Sequence, residues 1–416
     1  MHITRRKFVV DTAALIGSVA ALPSAVGAQI AGKSSNSLRI LILGGTAFLG
    51  PHCTEVAIAR GHSVTHFNSG RTEELRKNAG RPSAVAQGVE TLYGNRDPNK
   101  TADNRRTEGK ANAPKDPNSP KGLSQLVGKK WDAVIDTSGY FPRMVKASAE
   151  LLAPAVKQYV FISTISVYKD TSAPFDETAP LQTLQDPTTE ETGKDFANYG
   201  GGKALCEKAA EAAVPGRVTN IRPGFIVGPR DTSGRFIYWP LRVSIGGKMI
   251  VPGSPEDPIQ LIDVRDLADW IIHCIENNAV GVFNATGPEK ELSMKSFVEG
   301  LQQGVGGNVS FTWVTNDFLE SKGIHEQFPL YAAPVGETAG FHRAKISRAL
   351  AKGLKFRPVS ETAKATLEWY KSLPTEVQKR VAPQFAQGPN EEGWLAVEKK
   401  VLEAWSERDK KEARKI

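Results

Sequence analysis

Two groups of residues in this chain have types and spacings that could do chemistry. The first is Gly44-Gly45-Thr46-Ala47-Phe48-Leu49-Gly50, directly after the apolar run 38–43. A strand, a glycine-rich turn and a helix start bring free backbone N–H groups and the positive end of a helix dipole together, which suits a diphosphate. Gly44 permits the tight turn, and Gly50 lets the helix pack closely on the strand. The second group is Tyr199 and Lys203, four residues apart and therefore on one face of a helix. A phenol with an ordinary pKa near ~10 is a poor base at neutral pH, and an adjacent ammonium lowers that value. Tyr199 could then take a proton from a hydroxyl as hydride leaves the same carbon.

The elements that must position these groups alternate along the chain. Strands are expected at 38–43, 63–67, 89–93, 132–136 and 158–163, with later ones at 217–221 and 281–284. Helices are expected at 48–60, 142–152 and 199–213. The first strand is apolar along its length, as in a sheet buried on both faces. This rhythm predicts an α/β fold, a doubly wound parallel sheet with a smaller mixed lobe. The reading divides the chain into a dinucleotide-binding domain over 38–228, to which 260–285 returns, a substrate lobe over 229–370 and a helical extension over 371–416. Residues 98–121 break the rhythm and read as a basic surface insertion.

Further stretches carry a family resemblance. GGTxFLG at 44–50, YGGGK at 199–203, VFISTISVY at 160–168, RPG at 222–224 and QLIDVRD at 260–266 run in one order across about 38–370. In this the chain resembles the extended or atypical short-chain dehydrogenases/reductases, the NAD-dependent epimerase/dehydratase group. The resemblance implies that Lys203 holds the nicotinamide ribose, and that Thr164 bonds a substrate oxygen. It places Asn95 and Asp97 on the adenine side, Thr137, Ser138 and Gly139 along the cofactor, and Pro223, Gly224 and Phe225 against the nicotinamide. Ala47 stands where the middle glycine is usual. Asn68 stands where an NAD enzyme carries an acid for the ribose 2′-hydroxyl. Asn68 with Arg71 would accommodate a 2′-phosphate, so the cofactor is NAD or NADP with a lean to NADP. Arg230, Arg235, Tyr238, Trp239 and Arg242 fall in the segment that covers the substrate in relatives. Arginine there suits a carboxylate or phosphate and an aromatic face suits a sugar ring. A homodimer is compatible with this class.

The first 28 residues read as an address. Thr4-Arg5-Arg6-Lys7-Phe8 resembles the twin-arginine export motif, followed by an apolar stretch and small residues before Gln29. This predicts a periplasmic protein handed to the twin-arginine machinery, which carries folded chains. No stretch after it approaches the ~18 apolar residues that cross a bilayer. Three cysteines, Cys53, Cys206 and Cys274, lie in apolar helical contexts and read as buried thiols, and the seven histidines show no metal spacing.

Of the 416 residues, 24% are charged, and the net charge is +8. Residues 96–130 hold nine Lys and Arg against four acids, so more than half of the excess is local. A solvated loop accounts for this. It also leaves open a second reading, because the GGTxFxG subgroup resembles chloroplast stem-loop-binding proteins. The chain would then be an RNA-binding or nuclease-like homologue with the insertion as its electrostatic footprint. Tyr199 with Lys203, the lack of interleaved aromatic residues and the export signal favour an enzyme acting on a sugar or sugar derivative, and nucleic acid is not the expected partner.

Overall fold

The structure, a computed structural model, describes residues 36–70, 73, 85–100, 121–386 and 393–413. The stretch expected as an export motif, Arg71 and most of the expected basic insertion therefore lie outside the described residues. Seven parallel strands form the main sheet in the order β10-β6-β5-β4-β1-β2-β3. They are β1 (Arg39–Leu43), β2 (Ser63–Asn68), β3 (Glu90–Tyr93), β4 (Ala133–Asp136), β5 (Gln158–Ile162), β6 (Val218–Pro223) and β10 (Gly281–Ala285). β1 lies between β4 and β2, with Leu43 opposite both Asp136 and Phe67. The strand order reverses there, and in sheets of this class ligands bind beyond the carboxyl ends of the strands at such a point.

Alternate residues of β1 explain why the sheet is covered on both faces. Ile40 and Ile42 pack with Cys53 of α1 (Leu49–Ala59) and with Leu267 and Ile271 of α5 (Val264–Glu276). Leu41 and Leu43 pack on the opposite face with Val145 of α2 (Pro142–Leu152) and Cys206 of α3 (Tyr199–Ala213). All three cysteines are buried and free.

The second lobe is built on a three-stranded sheet, in which β9 (Pro258–Asp263) lies between β7 (Phe225–Val227) and β11 (Gly287–Ser293), and on the pair β8 (Gly247–Pro252) and β12 (Val309–Val314). Its core joins Trp239 of α4 (Tyr238–Ile245) to Phe297 of α6 (Met294–Val305) and to Met249 of β8. The segment expected as an extension is part of this core. Trp394 and Val401 of the helix Trp394–Ala413 are buried in the same cluster, and Glu398 of that helix pairs with Arg242 at 2.6 Å.

Candidate active site

At the carboxyl end of β1 the backbone turns at Gly44 with φ +94°, a conformation that side chains disfavour. A Cβ at Gly50 would lie 2.5 Å from the Gly44 carbonyl oxygen, so only glycine lets α1 pack this closely on the turn. Gly45 is buried against the His66 ring, while Thr46 and Phe48 are half-buried and Ala47 is exposed. α1 begins without a side-chain cap and without an acid in its first turn, so its dipole end is uncompensated. The turn is clamped from β4. The Thr137 hydroxyl donates to Leu43 O at 3.0 Å and Gly44 O at 3.1 Å, and the Ser138 hydroxyl to Leu43 O at 3.1 Å.

The end of β2 supplies an unusual group. Asn68 is 5% exposed, and neither its amide nitrogen nor its amide oxygen has a hydrogen-bond partner. A buried polar group left unpaired costs about 1–3 kcal/mol, so each such group calls for an explanation, of which an outside partner is one. Ser163 Oγ and Thr286 Oγ1 are buried and unpaired in the same way, and Thr286 faces Gly224 after β6. Unpaired polar groups beside a glycine cradle fit a dinucleotide. The adenine-side expectation fares differently. Asn95 accepts from the Asp97 backbone at 2.9 Å, and both Asp97 oxygens accept from Arg143 at 3.1 Å, so these side chains close their own loop. Arg143 holds the Asp97 carboxyl below the ordinary carboxylate range.

Tyr199 opens α3 with its ring centre 6.5 Å from that of Tyr140, while the Thr164 hydroxyl accepts from the Ser166 backbone N–H at 3.1 Å. Burial pushes the phenol above its ordinary pKa and the nearby Tyr140 adds to this, while Thr164 and the Arg235 guanidinium oppose it. Lys203 makes no hydrogen bond to the phenol. Lys203 Nζ donates instead to Ile162 O at 2.6 Å and Gly139 O at 2.8 Å, and lies 4.3 Å from the centre of the Phe161 ring. These carbonyls at the ends of β5 and β4 are nearer than the phenol, and the positive charge that most favours the phenolate comes from Arg235.

The five expected substrate residues separate. Arg235 lies over the Phe225 ring at 5.5 Å, and its positive charge favours the Tyr199 phenolate. Arg230 turns away and binds Glu55 of α1 at 2.6 Å. Tyr238, Trp239 and Arg242 are buried in the second lobe's core, which corrects their expected substrate role. The turns of α4 direct them inward, where the Trp239 indole donates to Pro329 O at 2.8 Å. The sequence reading missed Tyr140, Asp136 and Arg96. Asp136 alone carried a signal, as the acid that ends an otherwise apolar strand.

The model of the NAD dependent epimerase/dehydratase family matches residues 40–285, more than half of the chain. The chain belongs to that family. It is 26% identical over 261 residues to the chloroplast stem-loop binding protein of 41 kDa b of Arabidopsis thaliana, covering 61% of this chain and 60% of that protein's length. It is 25% identical over 281 residues to the epimerase family protein SDR39U1 of Bos taurus, with 65% and 81% covered. Among solved structures, the fold matches the Bordetella bronchiseptica enzyme WbmG in complex with NAD and UDP at TM-score 0.53 and 18% identity, covering 83% of this chain and 97% of that one. It matches the enzyme WbmH of the same organism, in complex with NAD+, at 0.52 and 16%, covering 81% and 99%. At these identities the structural likeness shows the fold, a Rossmann-like sheet with a smaller lobe.

Proposed function

We propose that this family member is an exported NAD(P)-dependent epimerase or oxidoreductase acting on a sugar or sugar derivative. The observation that carries the reading is the glycine turn, with Gly44 at φ +94° and a close approach at Gly50 that only glycine allows, beside the buried unpaired Asn68 amide, with Tyr199 and Lys203 one turn apart at the start of α3. Residues 44–50 would hold the diphosphate, Asn68 the adenosine ribose, Lys203 the nicotinamide ribose and Phe225 the nicotinamide face. The bound dinucleotide supplies hydride acceptance and return. Thr164 and Tyr199 would grip a substrate hydroxyl, and Tyr199 Oη would take its proton, with Arg235 and Thr164 favouring the phenolate. Arg235 would also face an anionic or polar group of the substrate. Asn68, which carries no charge to repel a 2′-phosphate, leans the choice to NADP.

The twin-arginine-like start supports passage of a folded chain with its cofactor already bound. Free dinucleotide is scarce outside the cytoplasm, so the reading favours a tightly held NAD(P), reduced and reoxidised within one turnover of a free sugar or sugar acid. A panel of such sugars tests this by rapid mixing, which reads the transient absorbance of the reduced nicotinamide in the loaded protein. Tyr199→Phe should slow the change by about 10²–10⁴-fold, the usual worth of general-base assistance, with dinucleotide still bound. A rate within a factor of a few of wild type refutes the role of Tyr199.

The likeness to the stem-loop binding protein, together with the basic run at 96–130, favours RNA binding as a second reading. Salt-dependent RNA affinity that disappears with the insertion would move the assignment there.

A further inference from the structure

The Tyr199–Lys203 centre and the glycine turn are joined by one short turn, Thr137-Ser138-Gly139, and that turn rests on a buried ion pair. Asp136 is fully buried at the end of β4. Its Oδ1 accepts from Arg96 Nη1 at 2.8 Å and from the Ser138 backbone N–H at 3.1 Å. Its Oδ2 accepts from Arg96 Nη2 at 2.8 Å and from the Tyr159 hydroxyl at 2.8 Å. The next step of the turn is Gly139, whose carbonyl seats Lys203 Nζ at 2.8 Å. A Cβ on Gly139 would lie 2.6 Å from the Phe161 ring and 3.0 Å from Asp136 Oδ2, so the carboxylate packs directly beneath the seat.

We propose that Arg96 and Asp136 are positioning residues, which fix the Ser138–Gly139 turn and through it the place and charge of Lys203. The proposal rests on the reading above, in which Lys203 holds the nicotinamide ribose. A two-point guanidinium–carboxylate fork fixes orientation as well as charge. The groups near Lys203 are few. Cys206 on α3 is a thiol that burial keeps protonated and uncharged. That leaves Asp136 on β4 and Glu207 on α3, the latter paired with Arg222 at 2.6 Å, to favour the ammonium. Arg96 opposes it, and the Tyr140 and Phe161 rings lie against it. Burial already lowers the Lys203 pKa. Asp136→Asn removes a carboxylate that favours the charge and leaves the Arg96 cation uncompensated, so Lys203 should lose its proton at a lower pH.

The test is the affinity for NADH and NADPH, read by nicotinamide fluorescence from neutral to alkaline pH on the full chain. Wild type should bind with little pH dependence up to mildly alkaline conditions. Asp136→Asn should bind about tenfold more weakly, the equivalent of one lost hydrogen bond, and weaken further as pH rises. The double variant Arg96→Gln with Asp136→Asn should lose most of that added pH dependence. A structural role alone would weaken binding by one factor at every pH, and that result, or affinity within twofold of wild type, overturns the proposal. If Asp136→Asn does not melt cooperatively, Arg96→Lys replaces it. That variant keeps the charge and loses the fork, and affinity within twofold of wild type there overturns the proposal equally. A wild-type protein that binds neither nucleotide overturns the dinucleotide reading itself. Binding by wild type with an unaltered profile in the variants overturns only the positioning role.

Discussion

Two regions of this molecule hold buried polar side chains, and they hold them differently. In the second lobe, Arg242 donates through Nε to Glu398 at 2.6 Å, through Nη1 to Gly246 O at 2.9 Å and through Nη2 to Lys248 O at 2.6 Å. At the carboxyl edge of the main sheet, both amide atoms of Asn68 and the hydroxyls of Ser163 and Thr286 are buried without partners. The first arrangement is complete within the chain, and the second is complete only with something added. Residue type alone does not distinguish them, since an arginine beside aromatic residues reads as a substrate clamp in either place. Satisfaction of hydrogen bonds separates Arg242 from Asn68, but it does not separate the two regions as wholes, since Tyr238 Oη and Trp394 Nε1 in the second lobe's core are also buried without partners.

Mutation should separate the two arrangements. The largest effect should come from Arg242→Ala, which leaves Glu398 buried without its counter-ion and removes the donors to two carbonyls. Losing one partner of a buried pair typically costs about 3–5 kcal/mol, so a thermal melt should show a large drop in midpoint. Dinucleotide affinity of the folded protein should stay the same. An unchanged melt would show that the pair is not architectural.

Asn68→Ala should do the reverse. Dinucleotide affinity should fall about tenfold by titration, the equivalent of one good hydrogen bond. The melting midpoint should hold or rise, because a buried unpaired amide is removed. Asn68→Asp should weaken NADPH more than NADH, since a carboxylate accepts from a ribose hydroxyl and repels a 2′-phosphate.

A smaller effect should follow pH. Burial lowers the pKa of His66, under the glycine turn, and of His52, on α1, from 6.5 to about 4. Their neutral forms are favoured in the folded chain, so this part of the stability is fully present above pH 6.5. It should decline as pH falls towards 4, because the unfolded chain takes up protons first. Melts across that window check the sign, and His66→Gln should flatten the slope.

The smallest effect should come from deleting 101–120. Lys100 and Gly122 are already joined across the neck by Gly122 N–H to Lys100 O at 2.7 Å. Melting and dinucleotide affinity should change little.

The parts of this picture that were legible in the sequence are local ones. The apolar run of β1, Gly44 and Gly50 about the turn, and the Tyr199–Lys203 spacing each act over a few residues, and each appears at the expected place. What escaped the reading depends on partners far along the chain. Arg242 looked available because Glu398 stands 156 residues away. Arg96 was counted into a basic surface run because Asp136, 40 residues on, gave no sign of turning towards it. Lys203 was expected to serve Tyr199, its neighbour on the helix, yet two carbonyls from separate strands reach it first. The register of a sheet decides such pairings, and no window of sequence contains it.

The most direct test is what the protein carries when it is purified. A mass spectrum and absorbance scan before and after dialysis should show near-stoichiometric NAD or NADP that survives dialysis. Asn68→Ala should emerge largely empty. Protein that emerges empty, and that binds neither NADH nor NADPH on titration, would contradict the claim that the unpaired groups at the sheet edge await a dinucleotide.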